Sequence, residues 1–150
     1  MRCALSEERT IGFEIRALNN LIKRYVHSTK PPELDSSTGV HGWALRFFYE
    51  NRDKDIFQRD FEERFSIRRS TATNMLKLME ANGLIVRQSV ERDARLKKIV
   101  LTNKAIEIHK QISQHIEATE KMLSNGISEN ELSVFYNIID KIKANLEVSE

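Results

Sequence analysis

The segment from Arg64 to Thr102 constrains the fold most, because its apolar pattern changes period along its length. Its first part has four apolar residues at the spacing of one helix face: Ala72, Met75, Leu76 and Met79. Asn82-Gly83 then ends the predicted helix, since glycine tolerates the left-handed geometry of a C-terminal cap. Two short apolar runs follow, Leu84 to Gln88 and Leu96 to Leu101, which are typical of strands. The segment therefore predicts a helix followed by a β-hairpin, with a loop from Ser89 to Arg95.

The opposite face of this helix is polar and basic, and it contains no acidic residue before Glu80. Its members are Arg68, Arg69, Ser70, Thr71, Thr73, Asn74 and Lys77. Between residues 64 and 98, nine Lys/Arg stand against three Asp/Glu, a local charge of +6, whereas the whole chain carries +2. Exposed helices normally mix both signs, and a concentrated basic stripe suits a phosphate backbone. We predict that this face enters the major groove of double-stranded DNA; a plain solvated helix face is the alternative.

The hairpin, which we call the wing (residues 84–101), supplies a second set of candidate DNA contacts. They are Arg87, Arg92, Asp93, Arg95, Lys97 and Lys98. Arg95 is the candidate for the minor groove, whose negative potential attracts arginine. A carboxylate repels phosphate, so Asp93 is expected to bond the wing backbone or to pair with an arginine and hold the wing in shape. An ordinary surface pair of little energy is the alternative.

The remaining segments predict further helices around this motif. Thr38 is a candidate cap for a second helix, and Asn51 to Asp55 reads as a polar turn. Three phenylalanines at four-residue spacing predict a short third helix: Phe57, Phe61 and Phe65. Thr102 and the Ser128-x-x-Glu131 capping box open two later helices. Two short helices, a polar-faced helix and a hairpin form the order of a winged helix-turn-helix, a mainly α fold with a small β-hairpin (α+β).

The helices predicted at the two ends of the chain are more apolar than one small winged helix can cover. The first, over about residues 7–30, opens at Ser6-Glu7, ends at Lys30-Pro31-Pro32 and carries an apolar seam. This seam is Ile11, Ile15, Leu18, Ile22 and Tyr25. The C-terminal helices, over about 103–147, carry the stripe Leu132, Phe135, Ile139, Ile142 and Leu146. We expect these residues to form a dimer interface; a larger intramolecular core is the alternative.

Residues 38–102 resemble the winged-helix core of the MarR (multiple antibiotic resistance regulator) family of bacterial transcription factors. The resemblance rests on Ile67-x-Arg69-Ser70-Thr71-Ala72-Thr73, on Met79-Glu80-x-x-Gly83-Leu84-Ile85, and on Asp93-x-Arg95 followed by Leu101-Thr102. Flanking helices extend it over nearly all 150 residues, as one domain. It implies an obligate homodimer on a pseudo-palindromic operator, acting as a repressor that a small-molecule effector or an oxidant releases.

Three positions depart from the pattern of that family. Arg68 stands where the recognition helix usually has a small polar cap, and Phe57 stands where the preceding helix often has a capping threonine. Ala105 replaces a glycine that often follows the Leu-Thr pair. None of these changes removes a DNA-contacting group, and Arg68 is expected to contact a phosphate at the expense of helix capping.

The sequence offers no cofactor site and no metal site. Cys3 is the single cysteine, and we expect an incidental thiol; a sensing cysteine is the alternative. None of the histidines, His27, His41, His109 and His115, forms an i, i+4 pair with another. A zinc site assembled across a dimer is the alternative.

The same sequence argues against several classes of protein. No Gly-rich phosphate loop or nucleophile–base set is readable, so we do not expect an enzyme. No apolar run approaches the ~20 residues of a membrane span, and the N-terminus lacks the apolar stretch of a signal peptide, so we expect a cytoplasmic protein without membrane contact. The alternative function is a winged-helix module that binds protein and not DNA.

Overall fold

The computed structural model describes residues 9–30 and 42–148, which form six helices and one antiparallel hairpin. In chain order these are α1 (Ile11–Thr29), α2 (Gly42–Glu50), α3 (Gln58–Phe65), α4 (Arg69–Ala81), β1 (Ile85–Val90), β2 (Asp93–Leu101), α5 (Asn103–Leu123) and α6 (Glu129–Glu147). The predicted fold class is confirmed. The chain divides into two compact units within α5, between His115 and Ile116. Cys3, Thr38 and His41 lie outside the described residues.

An aromatic cluster around Phe61 forms the core of the first unit. The Phe61 side chain is fully buried, and its ring centroid lies 5.7 Å from that of Trp43, 5.3 Å from Phe48 and 5.2 Å from Phe65. Helices as short as α2 and α3 are not stable alone, so this packing holds them together. The predicted phenylalanine stripe is confirmed at Phe61, whereas Phe57 precedes α3 as its N-cap residue.

Helix α4 packs on this core through the predicted apolar face. Ala72, Leu76 and Met79 are fully buried, and Met75 is half-buried. The helix ends as predicted: Gly83 has φ +69°, its N–H donates to the Glu80 carbonyl at 3.0 Å, and the Leu84 N–H donates to the Met79 carbonyl at 2.9 Å. The end of the helix is therefore fixed by its own backbone.

Thr102 joins this end of α4 to the start of α5, as its predicted capping role requires. Its hydroxyl donates to the Gly83 carbonyl at 2.6 Å and accepts from the Ala105 N–H at 3.2 Å. Its own N–H donates to the Leu84 carbonyl at 3.0 Å. Ala105 is fully buried beside this junction, so the methyl group that replaces a glycine hydrogen is accommodated.

The two strands are longer than the sequence predicted. Ile85 stands opposite Leu101, and Ser89 stands opposite Lys97, with an irregularity after Ser89. Only two residues, 91 and 92, form the turn, so the predicted loop from Ser89 to Arg95 is wrong. Beyond the core the ribbon is exposed on both faces, so its side chains need not alternate between apolar and polar, and the period-2 signal is lost.

Helix α1 begins at Ile11, later than the predicted opening at Ser6-Glu7. Thr10 is extended, with φ −111° and ψ 145°, and precedes the first helical residue. The helix ends where predicted: Lys30, which precedes a proline, is extended, with ψ 130°. No residue of α1 is buried.

The second unit contains the predicted capping box. The Ser128 hydroxyl accepts from the Glu131 N–H at 3.3 Å, and the Glu131 carboxylate accepts from the Ser128 N–H at 2.8 Å. These hydrogen bonds hold the pKa of the Glu131 carboxyl below its usual value. No residue of α6 is buried. Within the described residues, no helix combines the length and the apolarity that a membrane span requires.

One histidine is buried in the first unit. His109 is 7% exposed, and its ring stacks on Tyr49 with 4.0 Å between centroids and 15° between planes. Burial lowers the pKa of His109; Glu50 opposes this change, whereas Arg46 and Arg52 add to it. The surroundings of the imidazole thus favour its neutral form.

We expect this histidine to make folding pH-dependent. Because its pKa is lower in the folded state than the ordinary value of 6.5, the unfolded chain binds a proton first, so stability falls as pH drops below 6.5. Urea unfolding of wild type and His109→Phe at about pH 7.5 and about pH 5.5 measures this. Between the two pH values, His109→Phe should lose less of its free energy of unfolding than wild type does. His27→Gln, at an exposed position, is the control, and an unchanged loss in His109→Phe contradicts the expectation.

Candidate nucleic-acid interface

The outward face of α4 presents the predicted polar and basic side chains. The exposed members are Arg68, Arg69, Ser70, Thr71, Asn74 and Lys77. Burial of the opposite apolar face fixes this orientation, because side chains three and four residues apart share one side of a helix. Arg68 is the exposed N-cap residue, and its side chain makes no capping hydrogen bond.

Thr73 differs from its neighbours on this face. It is half-buried, and its hydroxyl oxygen lies 2.8 Å from Nε2 of Gln58, the first residue of α3. The Gln58 amide also reaches Oε1 of Glu62 at 2.9 Å and the Arg69 carbonyl at 3.4 Å. Sequence reasoning missed Gln58. Its i, i+4 spacing to Glu62 is visible in the sequence, but its approach to α4 is not.

The outer part of the wing is exposed. Arg92, Asp93, Arg95 and Lys97 are all exposed, with Arg92 in the turn and the others in β2. The Asp93 carboxylate accepts a hydrogen bond from the Arg95 N–H at 2.9 Å, which matches the predicted role of bonding the wing backbone. The Lys97 ammonium donates to the Ser89 hydroxyl across the strands. Asp93 therefore shapes the strand that carries Arg95.

Two predicted wing contacts are neutralised within the chain. Nε of Arg87 lies 3.6 Å from Oε2 of Glu80, and Nζ of Lys98 lies 3.1 Å from Oδ1 of Asp55. Arg87 stands opposite the buried Ile99, so it shares the core side of the ribbon, and its Nε atom is buried. The sequence did not reveal these acidic partners, which come from other elements of the fold.

Seven of the nine basic residues between 64 and 98 remain exposed and, within the described part of the chain, form no ion pair. They are Arg64, Arg68, Arg69, Lys77, Arg92, Arg95 and Lys97. Arg68, Arg69 and Lys77 lie in α4 or at its start, Arg64 lies in α3, and the other three lie in the outer wing. Six of the seven therefore belong to the two elements that a winged helix uses to contact a duplex.

A cavity of about 460 Å³ lies between the turn after α2 and the wing. Its apolar lining includes Phe48 and Leu101, and its polar lining includes Arg52, Gln88 and Lys98. Across residues 9–30 and 42–148, no group of three His, Cys, Asp or Glu residues is arranged to hold a metal ion.

The predicted dimer residues are largely uncovered in this single chain. On α1, Ile11 is 64% exposed, Ile15 and Leu18 are exposed, and Ile22 is half-buried. On α6, Leu146 is 67% exposed and Phe135 is exposed. The other three members of the α6 stripe are half-buried: Leu132, Ile139 and Ile142. Both helices therefore carry apolar surface that the chain leaves exposed to water.

Comparison with known proteins agrees with this architecture. Residues 38–96 match the model of the MarR family. The fold is similar to that of the transcription regulator MarR from Oenococcus oeni PSU-1, with 26% identity and a TM-score of 0.76 over 90% of this chain and 99% of that one. It is also similar to S. aureus MepR, solved as a complex with DNA, with 21% identity and a TM-score of 0.79 over 94% and 99% of the two chains.

A third similar structure is the PcaV transcriptional regulator from Streptomyces coelicolor, solved with its natural ligand. It shares 18% identity and a TM-score of 0.76 over 95% of this chain and 97% of that one.

The fold and the exposed face of α4 define a winged helix-turn-helix protein. Residues 38–96 thus match the model of the MarR family, and the fold over nearly the whole chain is similar to that of the regulator from Oenococcus oeni. The resemblance inferred from the sequence motifs is thereby confirmed. The matched family model and the similar structure from Oenococcus oeni are those of transcription regulators.

The Asp93 contact generates a test of the wing. Asp93→Ala removes the acceptor of the Arg95 N–H, so we expect this amide to exchange with solvent about 5-fold faster, the effect of losing one hydrogen bond. Asp93→Asn keeps an acceptor oxygen and should retain most of the protection. Amide exchange followed by NMR measures both. Equal protection of Arg95 in wild type and Asp93→Ala would show that the contact does not order the strand.

Proposed function

We propose that this chain is a homodimeric, sequence-specific DNA-binding transcriptional regulator that represses by occluding its promoter. The observation that carries the proposal is the exposed face of α4, which has no acidic residue before Glu80, together with the basic outer wing. A similar structure, that of MepR, is a complex with DNA, which supports the same role for this chain.

In this proposal each element has a separate part in binding. Arg69, Asn74 and Lys77 reach base edges and adjacent phosphates in the major groove. Arg95 enters the neighbouring minor groove, and Asp93 holds the backbone that presents it. Arg68, at the start of the helix, contacts a phosphate.

A second copy of the chain would cover the apolar faces of α1 and α6. Exposed residues such as Ile11, Leu18 and Leu146 are too apolar for a surface that stays in water. Two-fold symmetry would give two recognition helices, which suits a pseudo-palindromic operator with half-sites about one helical turn apart.

We also propose release from DNA by a small-molecule effector. The cavity of about 460 Å³ beside the wing lies in the usual size range of ligand sites. Its lining includes Lys98, which pairs with Asp55 and so links the wing to the turn after α2. A ligand that binds one arrangement of the wing better than another would shift the population toward it and change operator affinity. PcaV, solved with its natural ligand, is a similar structure that binds a small molecule.

Salt dependence tests the DNA contact directly. Each phosphate neutralised contributes about −0.9 to the slope of log affinity against log salt. Arg95→Ala should weaken binding to duplex DNA and make the slope shallower. Lys98→Met is the matched control, because Lys98 already pairs with Asp55, and its loss should leave the slope unchanged. Wild-type affinity and slope in a folded Arg95→Ala would remove the wing from the interface, and a flat slope in wild type would favour protein interaction.

The dimer is tested on α1. Leu18→Glu places a charge within the apolar seam, so we expect the dimer to dissociate and operator affinity to fall by tenfold or more, on the order of one lost half-site. Asn20→Glu places the same charge on the opposite side of the helix and should leave the dimer intact. Sedimentation velocity measures the mass of each. A Leu18→Glu chain that stays dimeric would exclude this seam from the interface.

A further inference from the structure

The amide of Gln58 connects α3 to the DNA-facing side of α4. Its nitrogen Nε2 lies 2.9 Å from a carboxylate oxygen of Glu62 and 2.8 Å from the hydroxyl oxygen of Thr73, with the Arg69 carbonyl at 3.4 Å. A primary amide has two hydrogens, and the two short contacts use both of them. The side chain therefore joins the first turn of α3 to the first turns of α4.

The partners of this amide fix which of its two ends faces them. An ionised carboxylate and a backbone carbonyl only accept hydrogen bonds, so the amide nitrogen must face Glu62 and Arg69. The bond to a charged acceptor is the stronger type and resists rotation of the amide. A nitrogen held in this way donates to Thr73, and the Thr73 oxygen must accept.

This contact assigns a direction to the Thr73 hydroxyl. A hydroxyl has one hydrogen and two acceptor lone pairs. The Gln58 amide occupies one of these lone pairs, so the hydrogen and a single lone pair remain for another group. The side chains of Ser70 and Asn74, on the same face, are exposed and form no hydrogen bond with the described residues, so either can donate or accept.

Resting on the proposed function, we infer that Gln58 is a positioning residue that shifts the Thr73 hydroxyl toward donating a hydrogen bond in the DNA complex. Thr73 then selects an acceptor: purine N7, guanine O6, thymine O4 or a phosphate oxygen. It disfavours the amino groups of cytosine and adenine, which are donors. Gln58 acts on specificity without itself touching a base.

A purely structural role for Gln58 is insufficient to explain the arrangement. Helix α4 is already held by the buried side chains of Ala72, Leu76 and Met79. Its C-terminal end is fixed by the bonds of Gly83 and Leu84. The Gln58 amide instead contacts the Thr73 hydroxyl, at the edge of the exposed face. At that position the orientation of the hydroxyl affects recognition.

The test begins with selection of duplexes from a random pool by the full-length wild-type chain. The selected duplex is then altered one acceptor at a time: 7-deazapurines remove N7, 2-aminopurine removes guanine O6, 5-methyl-2-pyrimidinone removes thymine O4, and methylphosphonates remove phosphate oxygens. Binding of wild type, Thr73→Val, Thr73→Ser and Gln58→Met is measured with each duplex. The four kinds of change distinguish the possible sources of the acceptor.

We expect one acceptor deletion to weaken wild-type binding by about 3- to 10-fold, the value of one neutral hydrogen bond. The same deletion should leave the affinity of Thr73→Val unchanged, whereas Thr73→Ser should lose affinity as wild type does. Gln58→Met leaves the threonine hydroxyl free to donate or accept, so it should tolerate an amino group at the position where wild type requires an acceptor. Both Thr73 variants keep Gln58, so the inference is testable even where Gln58→Met does not fold.

The outcomes separate this inference from the proposed function. A wild-type chain that enriches no duplex overturns the proposed function. Enrichment in which no acceptor deletion distinguishes wild type from Thr73→Val overturns the inference alone. A folded Gln58→Met chain with the wild-type base profile also overturns it, because a merely structural change would lower affinity without changing base preference.

Discussion

Packing of aromatic rings around Phe61 is the interaction on which the rest of the winged helix depends. Helices α2 and α3 have nine and eight residues, too few for independent stability. The contacts of Phe61 with Trp43, Phe48 and Phe65 pack these two helices against each other. Helix α4 packs on these two helices through its apolar face. Because that face is buried, the polar face of α4 points outward. The polar face of α4 is therefore oriented by the apolar packing on the opposite side of the helix.

The basic residues between 64 and 98 differ in whether the fold pairs them with acidic residues. The sequence concentrates nine cations between residues 64 and 98, and the fold treats them unequally. Glu80 and Asp55 neutralise Arg87 and Lys98, where the wing joins the core. Cations in the outer wing and on α4 meet no carboxylate within the described residues. The fold thus keeps positive charge where a phosphate backbone would approach and removes it where the wing must pack.

Local signals in the sequence predicted much of this structure. The apolar face of α4, the glycine at its end, and the capping roles of Thr102 and Ser128 all depend on residues close in the chain. The strand lengths were not predictable, because the outer ribbon faces water on both sides. The ion pairs of Arg87 and Lys98 and the reach of Gln58 to Thr73 were also missed. Each joins different elements, over separations of up to 43 residues, and only the folded chain brings them together.

The central claim is that α4 and the outer wing read a two-fold duplex site. Hydroxyl-radical footprinting of the chain on the duplex that it selects from a random pool tests this claim most directly. The account predicts two protected half-sites about one helical turn apart, 10 to 10.5 base pairs between centres, with extra protection in the flanking minor grooves. A single protected patch, or uniform protection of any duplex offered, would contradict it.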